Sequence, residues 1–247
     1  MQNSKAATTP IVKDSELREE AGGDSAFPYR EAVGALAYLM VGTRPDIAYA
    51  VGVASRHLEA PNRTDITKVK RIFRYLNGTR DYCITYRKGT QKELVCYSDA
   101  DHGGDPDSGR STSGLVCVYG GPISWRSQLQ TSVAISSTEA EIVAASEAAR
   151  EIIWLKRLIE NIEQLMKTPV LHIDNESAIK LALNPPYEFH NRTKHIKLRH
   201  FFIREAVANG NMKIAKIGTE HQIADMFTKA LYKPRLVMLS REIDLHA

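Results

Sequence analysis

The sequence has few cysteines and no long apolar run, and both absences narrow the class of protein. Its three cysteines among 247 residues are odd in number and far apart, which argues against a disulfide framework or a zinc knuckle. No apolar run approaches the roughly 20 residues that a membrane span needs. Residues 1–10 lack the charged head and apolar centre of a signal peptide. We therefore expect an intracellular protein with no membrane partner, in a cytoplasmic or nuclear compartment that the sequence does not resolve.

No charge of one sign dominates the chain. Its 33 Lys and Arg residues against 29 Asp and Glu give a formal net charge of +4, which permits a polyanionic partner without requiring one. The hydrophobic share of 43% and the charged share of 25% are those of an ordinary globular protein. Collagen-like and disordered classes are therefore excluded.

The residue pattern divides the chain into three regions. Residues 1–26 are rich in acids, poor in large apolar side chains and end near a Gly-Gly step, which predicts a flexible acidic leader. Residues 27–89 show apolar side chains at helical spacing, interrupted at Pro45, and predict a small, basic, mostly helical module. Residues 90–247 alternate between strand and helix patterns and form the third region.

The third region predicts an α/β fold with a mixed five-stranded sheet flanked by helices, because three strands come first and strands and helices then alternate. Cys96 and Cys117 lie on neighbouring predicted strands and are expected to form a buried pair of thiols. The predicted strands are 94–98, 114–119, 122–126, 170–173 and 213–217, and the predicted helices are 136–166, 177–183, 194–208 and one that begins at 219.

Two acids stand where predicted strands end. Asp99 follows the first strand of the sheet and Asp174 follows the fourth. A side chain at such a position reaches the crevice outside the sheet edge. Taken singly, each acid is equally well explained as the start of a turn.

The long helix separates the roles of two further acids. Its buried stripe is a 3,4 repeat of apolar residues that begins near Glu141, so Glu141 is expected to point toward the edge of the core. Glu139 falls three residues after Ser136, where a capping box uses the carboxylate to satisfy a backbone N–H. A charge at the head of an apolar stripe needs a partner or a metal, since its unpaired burial is costly.

Asp225, on the flank of the last predicted helix, completes a set of four carboxylates with Asp99, Glu141 and Asp174. Gathered at one end of a mixed sheet, they would form an oxygen-rich site for hard divalent cations such as Mg²⁺. Two such ions about 3.5–4 Å apart activate a water and stabilise the leaving oxygen in phosphoryl displacement. The alternative is four unrelated surface acids.

Several ordered motifs resemble one known family. The segments YSDAD at 97–101, SSTEAEIVA at 136–144, HIDN at 172–175, KHIKLRHFFIRE at 194–205 and IADMFTKAL at 223–231 resemble the ribonuclease H domain of copia-type (Ty1/copia) retrotransposon Pol polyproteins. Upstream, PYREAVGALAYLM at 28–40, TRPDIAYAV at 43–51 and RIFRYLNGT at 71–79 resemble the segment that follows the reverse transcriptase palm in those polyproteins. The resemblance covers about residues 27–240.

The resemblance implies a ribonuclease H-like domain at 90–247, preceded at 27–89 by a helical remnant of the reverse transcriptase thumb or connection region. It implies metal-dependent endonucleolytic cleavage of the RNA strand of RNA/DNA hybrids, with two Mg²⁺ ions, or Mn²⁺ instead. The family's acidic set carries over to Asp99, Glu141, Asp174 and Asp225. A reverse transcriptase palm region or subunit is a further implied partner.

Two departures from the family pattern limit this expectation. The Tyr-x-Asp-Asp polymerase motif of the palm is absent, so the chain is not expected to polymerise DNA. Related enzymes often carry a histidine in a loop before the last helix. Here the nearest candidate is His221, which we place within the predicted helix and to which we assign no catalytic role.

A basic stretch offers a surface for nucleic acid. Between His190 and Arg204 the chain has five Arg or Lys residues and no acid. On a helix, such a basic face suits phosphate contacts that weaken with salt; the alternative is a solvated charged face. The residues predicted to bind nucleic acid are Lys194, Lys197, Arg199 and Arg204.

Two other functions compete with that of an enzyme. In the first, the chain is a catalytically inactive remnant or domesticated fragment that binds nucleic acid. In the second, it is a structural connection domain that docks on a polymerase subunit. Metal-dependent cleavage of a hybrid separates an enzyme from the first rival. An intact acidic set argues against the second, since nothing structural requires carboxylates to converge.

Overall fold

The computed structural model describes residues 4–17, 27–86, 93–183 and 194–247, without the side chains of Asp14 and of residues 194–197. The chain divides into two compact units. The helical unit comprises Met1–Thr85 and Lys229–Ala247, and the sheet unit comprises Tyr86–Thr228. In the described part of the chain, no helix combines the length and apolar character that a membrane crossing requires.

The described residues contain seven α-helices and seven β-strands. The helices are α1 (Tyr29–Gly42), α2 (Ala48–Ala54), α3 (Arg63–Gly78), α4 (Ser137–Glu160), α5 (Glu176–Leu183), α6 (Lys194–Ala208) and α7 (Lys233–Glu242). The strands are β1 (Cys83–Ile84), β2 (Val95–Ala100), β3 (Thr112–Val118), β4 (Pro122–Leu129), β5 (Val170–Ile173), β6 (Lys213–Lys216) and β7 (Leu245–His246). Short 3-10 turns lie at Asp14–Glu16, Pro45–Ile47, Ser55–His57, Thr219–His221 and Ile223–Phe227.

A buried polar network holds the break between α1 and α2. The Arg44 guanidinium donates two hydrogen bonds to the Asp46 carboxylate, at 2.9 and 2.7 Å. The Tyr75 hydroxyl, on α3, donates to the same carboxylate at 2.7 Å. All three residues are buried, so each charge is paired and hydrogen-bonded, as burial requires. Burial, followed by the Asp46 charge, raises the pKa of Tyr75 far above its usual value and keeps it protonated.

The described part of the leader packs on α3, which differs from the flexible leader predicted at 1–26. The Ala7 N–H donates to the Arg74 carbonyl at 3.2 Å, and the Arg74 guanidinium donates to the Lys5 carbonyl at 2.8 Å. Ala7 and Ile11 are buried among their neighbours. Residues 1–3 and 18–26 of the predicted leader lie outside the described residues.

The predicted region 90–247 is also divided differently. Its last residues, Lys229–Ala247, belong to the helical unit, because β7 pairs antiparallel with β1 within that unit. This pairing joins segments that are far apart in sequence, and the local residue pattern carries no sign of it.

The sheet unit contains the predicted mixed five-stranded sheet, in the order β4-β3-β2-β5-β6. Strands β2, β3 and β4 are antiparallel neighbours, whereas β2, β5 and β6 are parallel. The core lies between the sheet and the apolar stripe of α4, in which Ala145, Ala148 and Ile152 are fully buried. The predicted fold class is confirmed: an α/β sheet flanked by helices, with a helical module before it.

Two predicted helices are wrong in part. The helix predicted over 136–166 ends earlier, since α4 ends at Glu160 and Ile162 is 78% exposed. The helix predicted from 219 is instead a pair of 3-10 turns, because Gln222 between them has an extended backbone with ψ 95°. The Gln222 side chain accepts from the Ala224 N–H at 3.3 Å and so caps the second turn.

The predicted pair of thiols is a disulfide in the structure. Cys96 on β2 and Cys117 on β3 are directly opposed and fully buried, and their sulfurs are joined. Adjacent positions on paired strands bring two side chains close together. The count and separation of the cysteines along the chain did not show this pairing.

Candidate active site

Three of the four predicted carboxylates meet at one edge of the sheet. Asp99 lies near the end of β2, Asp174 follows β5, and Glu141 lies in the first turns of α4. One oxygen of each lies within 4.8 Å of the other two. Strands β2 and β5 are parallel neighbours, so their carboxyl ends share an edge, and acids placed there are brought together.

The two glutamates of α4 are separated as the helical register predicts. The Ser136 hydroxyl accepts from the Glu139 N–H at 3.1 Å, and the Glu139 carboxylate accepts from the Ile135 N–H at 2.9 Å. The carboxylate therefore serves the helix start, although it reaches Ile135 and not the Ser136 N–H of an ideal capping box. Glu141 is the member of the carboxylate cluster.

Asp225, the fourth predicted acid, is not a member of the cluster of Asp99, Glu141 and Asp174. It lies in the 3-10 turn Ile223–Phe227, is buried, and belongs to a segment that packs against β2 and β3. The sequence placed it on the flank of an α-helix, and the change to a 3-10 turn alters where that flank lies. We define this segment, residues 219–228, as the turn segment.

The turn segment contacts the cluster through hydroxyl groups that the sequence analysis missed. The Thr228 Oγ1 lies 2.5 Å from Asp99 Oδ2 and is fully buried. The Thr219 Oγ1 donates to Asp174 Oδ2 at 3.1 Å. The Gln222 side-chain amide donates to the Ser98 carbonyl at 2.9 Å and fastens the segment to β2. Two of the three clustered carboxylates therefore accept a hydrogen bond from one segment.

A glycine on β3 makes this contact sterically possible. Gly114 is the strand partner of Asp99. A Cβ at Gly114 would lie only 2.7 Å from Thr228 Cγ2 and 2.8 Å from the Ala224 carbonyl oxygen and from Phe227 Cβ. The turn segment therefore approaches β3 as closely as a residue without a side chain allows.

Comparison with curated proteins gives full-length matches to one group. The chain is 42% identical over 256 residues to a retrovirus-related Pol polyprotein from transposon TNT 1-94 of Nicotiana tabacum, covering 100% of this chain and 19% of that protein. It is 38% identical over 247 residues to a retrovirus-related Pol polyprotein from transposon RE2 of Arabidopsis thaliana, covering 98% of this chain and 17% of that protein.

The chain is homologous, over its whole length, to a segment of the Pol polyproteins of copia-type transposons. It spans about a fifth of the length of these Pol polyproteins. A shorter relative, secreted RxLR effector protein 161 of Plasmopara viticola, is 51% identical over 129 residues, which are 52% of this chain and 91% of that protein. No protein-family model matches the chain.

Solved ribonuclease H1 structures are similar at a lower level. One, isolated from compost, matches at a TM-score of 0.43 and 16% identity, over 56% of this chain and 94% of that chain. Another, from the archaeon Halobacterium salinarum, matches at a TM-score of 0.40 and 15% identity, over 55% of this chain and 94% of that chain. Because both TM-scores are below 0.5, these structural similarities carry no argument about the chain.

The donor set of the carboxylate cluster suits a hard divalent cation. Carboxylate oxygens are the ligands that Mg²⁺ and Mn²⁺ take in proteins. Asp99 and Glu141 are both buried, and Asp174 lies beside them. Burial and mutual repulsion both disfavour three charged carboxylates in one place, and a bound cation relieves this. Asp99, Glu141 and Asp174 are the residues that would hold it.

His172 lies on β5, two residues before Asp174. Its ring stacks on Tyr97 of β2 with ring centroids 5.0 Å apart. Burial lowers the pKa of His172 below its usual value, so the ring is neutral at neutral pH. His221 is exposed in the turn Thr219–His221, and no role is assigned to it.

The basic helix α6 has the predicted bounds, but its arginines are partly engaged. The Arg199 guanidinium donates to Ser146 Oγ on α4 at 2.8 Å and lies 3.8 Å from the Glu147 carboxylate. Arg199 therefore joins two helices instead of facing solvent. The Arg204 guanidinium lies 5.3 Å from the centre of the Phe201 ring. Lys194 and Lys197 were also predicted to bind nucleic acid, but their side chains are not among those that the structure describes.

Proposed function

We propose that this Pol segment hydrolyses the RNA strand of RNA/DNA hybrids endonucleolytically, in a reaction that depends on a divalent metal. The observation that carries the proposal is the gathering of Asp99, Glu141 and Asp174 at the carboxyl edge of the sheet. The Pol family relation supports it, since these relatives are named as retrovirus-related polyproteins.

Each carboxylate has a position that suits its proposed role. Asp99, near the end of β2, Asp174, directly after β5, and Glu141 on α4 would hold the proposed Mg²⁺ ions. When bound, the ions supply an activated water and neutralise charge on the leaving oxygen. Asp225, buried on the neighbouring turn segment, is proposed as the fourth catalytic carboxylate.

The hybrid is proposed to lie along α6. Lys194 and Lys197 lie one turn apart at its start and, together with Arg204, would contact the phosphate backbone. Such contacts position a duplex without reading its sequence. Arg199 is assigned to packing against α4, because its guanidinium is held there.

One assay tests the proposal. The protein should cut a labelled RNA/DNA hybrid in the presence of Mg²⁺ and fail to cut it in EDTA. Asp174→Asn, which keeps the shape and removes the charge, should reduce cleavage by at least about 100-fold, since each catalytic ligand contributes strongly to the rate. Asp81→Asn, an exposed acid of the helical unit, is the matched control and should cut like the parent.

Two results would contradict the proposal. Cleavage that survives in EDTA would exclude the metal site. A protein that binds the hybrid and never cuts it would support the inactive nucleic-acid-binding alternative.

A further inference from the structure

We infer that the turn segment, through the hydroxyls of Thr228 and Thr219, positions the carboxylates of Asp99 and Asp174 for metal binding. The inference rests on the proposed metal site and adds two positioning residues to it. Neither threonine is a metal ligand in this account; each acts by fixing a carboxylate that is.

The Thr228 hydroxyl has a choice of acceptors, and the distances indicate which one it takes. It lies 2.5 Å from Asp99 Oδ2 and 3.2 Å from the Asp225 carbonyl oxygen. A hydroxyl carries a single proton, and a hydrogen bond to an ionised acceptor is the shorter and stronger kind. The proton therefore goes to Asp99, and the hydrogen bond holds one oxygen of a carboxylate that belongs to the cluster.

Three further features keep Thr228 in this position. Thr228 is fully buried. The Gln222 amide ties the same segment to the Ser98 carbonyl, next to Asp99. Gly114 lets the segment lie against β3 at a spacing that no larger residue permits. A hydroxyl that is itself held by packing restricts the rotamer of the carboxylate that it contacts.

Thr219 performs the same task at the other strand. Its hydroxyl donates to Asp174 Oδ2 at 3.1 Å from an exposed position. One segment thus spans the two parallel strands and holds one oxygen of each strand-end acid. Hydrogen-bond partners of metal ligands orient those ligands, and their removal commonly costs about 10–100-fold in metal affinity.

Metal affinity of the whole chain, measured by calorimetric titration with Mn²⁺ and with Mg²⁺, tests the inference without use of the cleavage reaction. Thr228→Val keeps the shape and removes the hydroxyl, and should weaken Mn²⁺ binding by about 10–100-fold. Thr228→Ser keeps the hydroxyl and should stay within about threefold of the parent. Thr219→Val should weaken binding by less than Thr228→Val, because water can replace an exposed hydroxyl.

The matched control is Ser146→Ala, which removes a buried hydroxyl of the same unit that bonds the Val143 carbonyl and Arg199. It should lower thermal stability much as Thr228→Val does and leave metal affinity unchanged. If Thr228→Val does not fold, the exposed Thr219→Val and the conservative Thr228→Ser decide the question.

The outcomes separate this inference from the proposed function. Equal metal affinity in the parent, Thr228→Val and Thr219→Val would overturn the inference alone. A parent that binds neither ion would overturn the proposed function and the inference together. Weaker metal binding by Thr228→Val, in a protein that never cuts hybrid, would uphold the positioning role and reject the proposed reaction.

Discussion

At the scale of single residues, Glu139 and Glu141 are chemically identical and two positions apart, yet both are buried for different reasons. Glu139 satisfies the Ile135 N–H at the start of α4. Glu141 faces Asp99 and Asp174. A helix turns by about 200° over two residues, so the local geometry, and not the residue type, decides which acid joins the site.

This register gives a matched pair of variants. Glu141→Gln should abolish hybrid cleavage, because it removes a charged oxygen from the cluster. Glu139→Gln keeps an acceptor for the Ile135 N–H and should retain most activity, with a loss of stability of at most about 1 kcal/mol. Single-turnover cleavage and thermal unfolding of both variants check this. Equal activity in the two would show that register does not separate their roles.

The threonines show what residue-level reasoning misses. Thr228 and Asp99 are 129 positions apart, and a hydroxyl that meets a carboxylate only in the folded chain leaves no local pattern. The clustered acids were found because strand ends and the apolar stripe of the long helix mark their positions in the sequence. No local pattern marks the threonines that hydrogen-bond to these acids. Gly114, which leaves room for the turn segment, can be interpreted only once the structure is known.

At the scale of elements, prediction succeeded where the local pattern alone decides the outcome. Strand β5 and helix α6 have the predicted bounds, since short apolar runs and uninterrupted helical periods are local signals. Prediction failed for the turn segment, where a backbone bend at Gln222 and a bond to β2 override a sequence pattern that favours a helix. The β1–β7 pairing was not predicted, because it joins segments that are far apart in sequence.

The packing of α6 on the sheet unit predicts a dependence of stability on pH. His200 is fully buried on α6, and burial, followed by the Arg204 charge, lowers its pKa below the usual 6.5. The unfolded chain therefore binds a proton more readily than the folded one. The free energy of unfolding should be fully developed above about pH 6.5 and should fall as the pH decreases through the interval down to the folded pKa of His200.

The change to test is His200→Gln, which should flatten this decline between pH 7.5 and 5.5. Both tryptophans of the chain, Trp125 and Trp154, belong to the sheet unit, so tryptophan fluorescence during urea unfolding reports the relevant transition. The exposed His221→Gln is the control and should keep the parental pH dependence. If the free energy of unfolding of His200→Gln falls with decreasing pH as steeply as that of the parent, His200 is not the source of the pH dependence.

At the scale of the whole molecule, the sheet order explains how distant segments build one site. In the five-stranded sheet, the antiparallel strands β2, β3 and β4 come first in sequence, and β5 follows and pairs with β2 in parallel. This places Asp174 beside Asp99 across 75 positions of sequence, while α4 brings Glu141 from between them. The parallel pairing of β2 with β5 therefore brings the acids at the two strand ends together.

Two lysines at the start of α6 are proposed to contribute to binding of the hybrid by the molecule as a whole. Lys194→Ala with Lys197→Ala removes two proposed phosphate contacts, so the slope of log affinity against log salt should flatten by about 0.9 per contact, taking B-DNA as a guide. Hybrid binding is measured at several salt concentrations with Asp174→Asn as the background, since that variant should bind without cutting. Turnover of the otherwise parental double variant at saturating hybrid should change much less, because these charges hold ground state and transition state alike.

Arg199→Ala separates phosphate contacts from helix packing. Its guanidinium is held by Ser146 and Glu147 of α4, so its loss should lower thermal stability and leave the salt slope near the parental value. An unchanged slope in the lysine double variant would mean that this face of α6 is merely solvated. The hybrid would then have to follow another basic surface, and Lys68, Arg71 and Arg74 on α3 are the next residues to change.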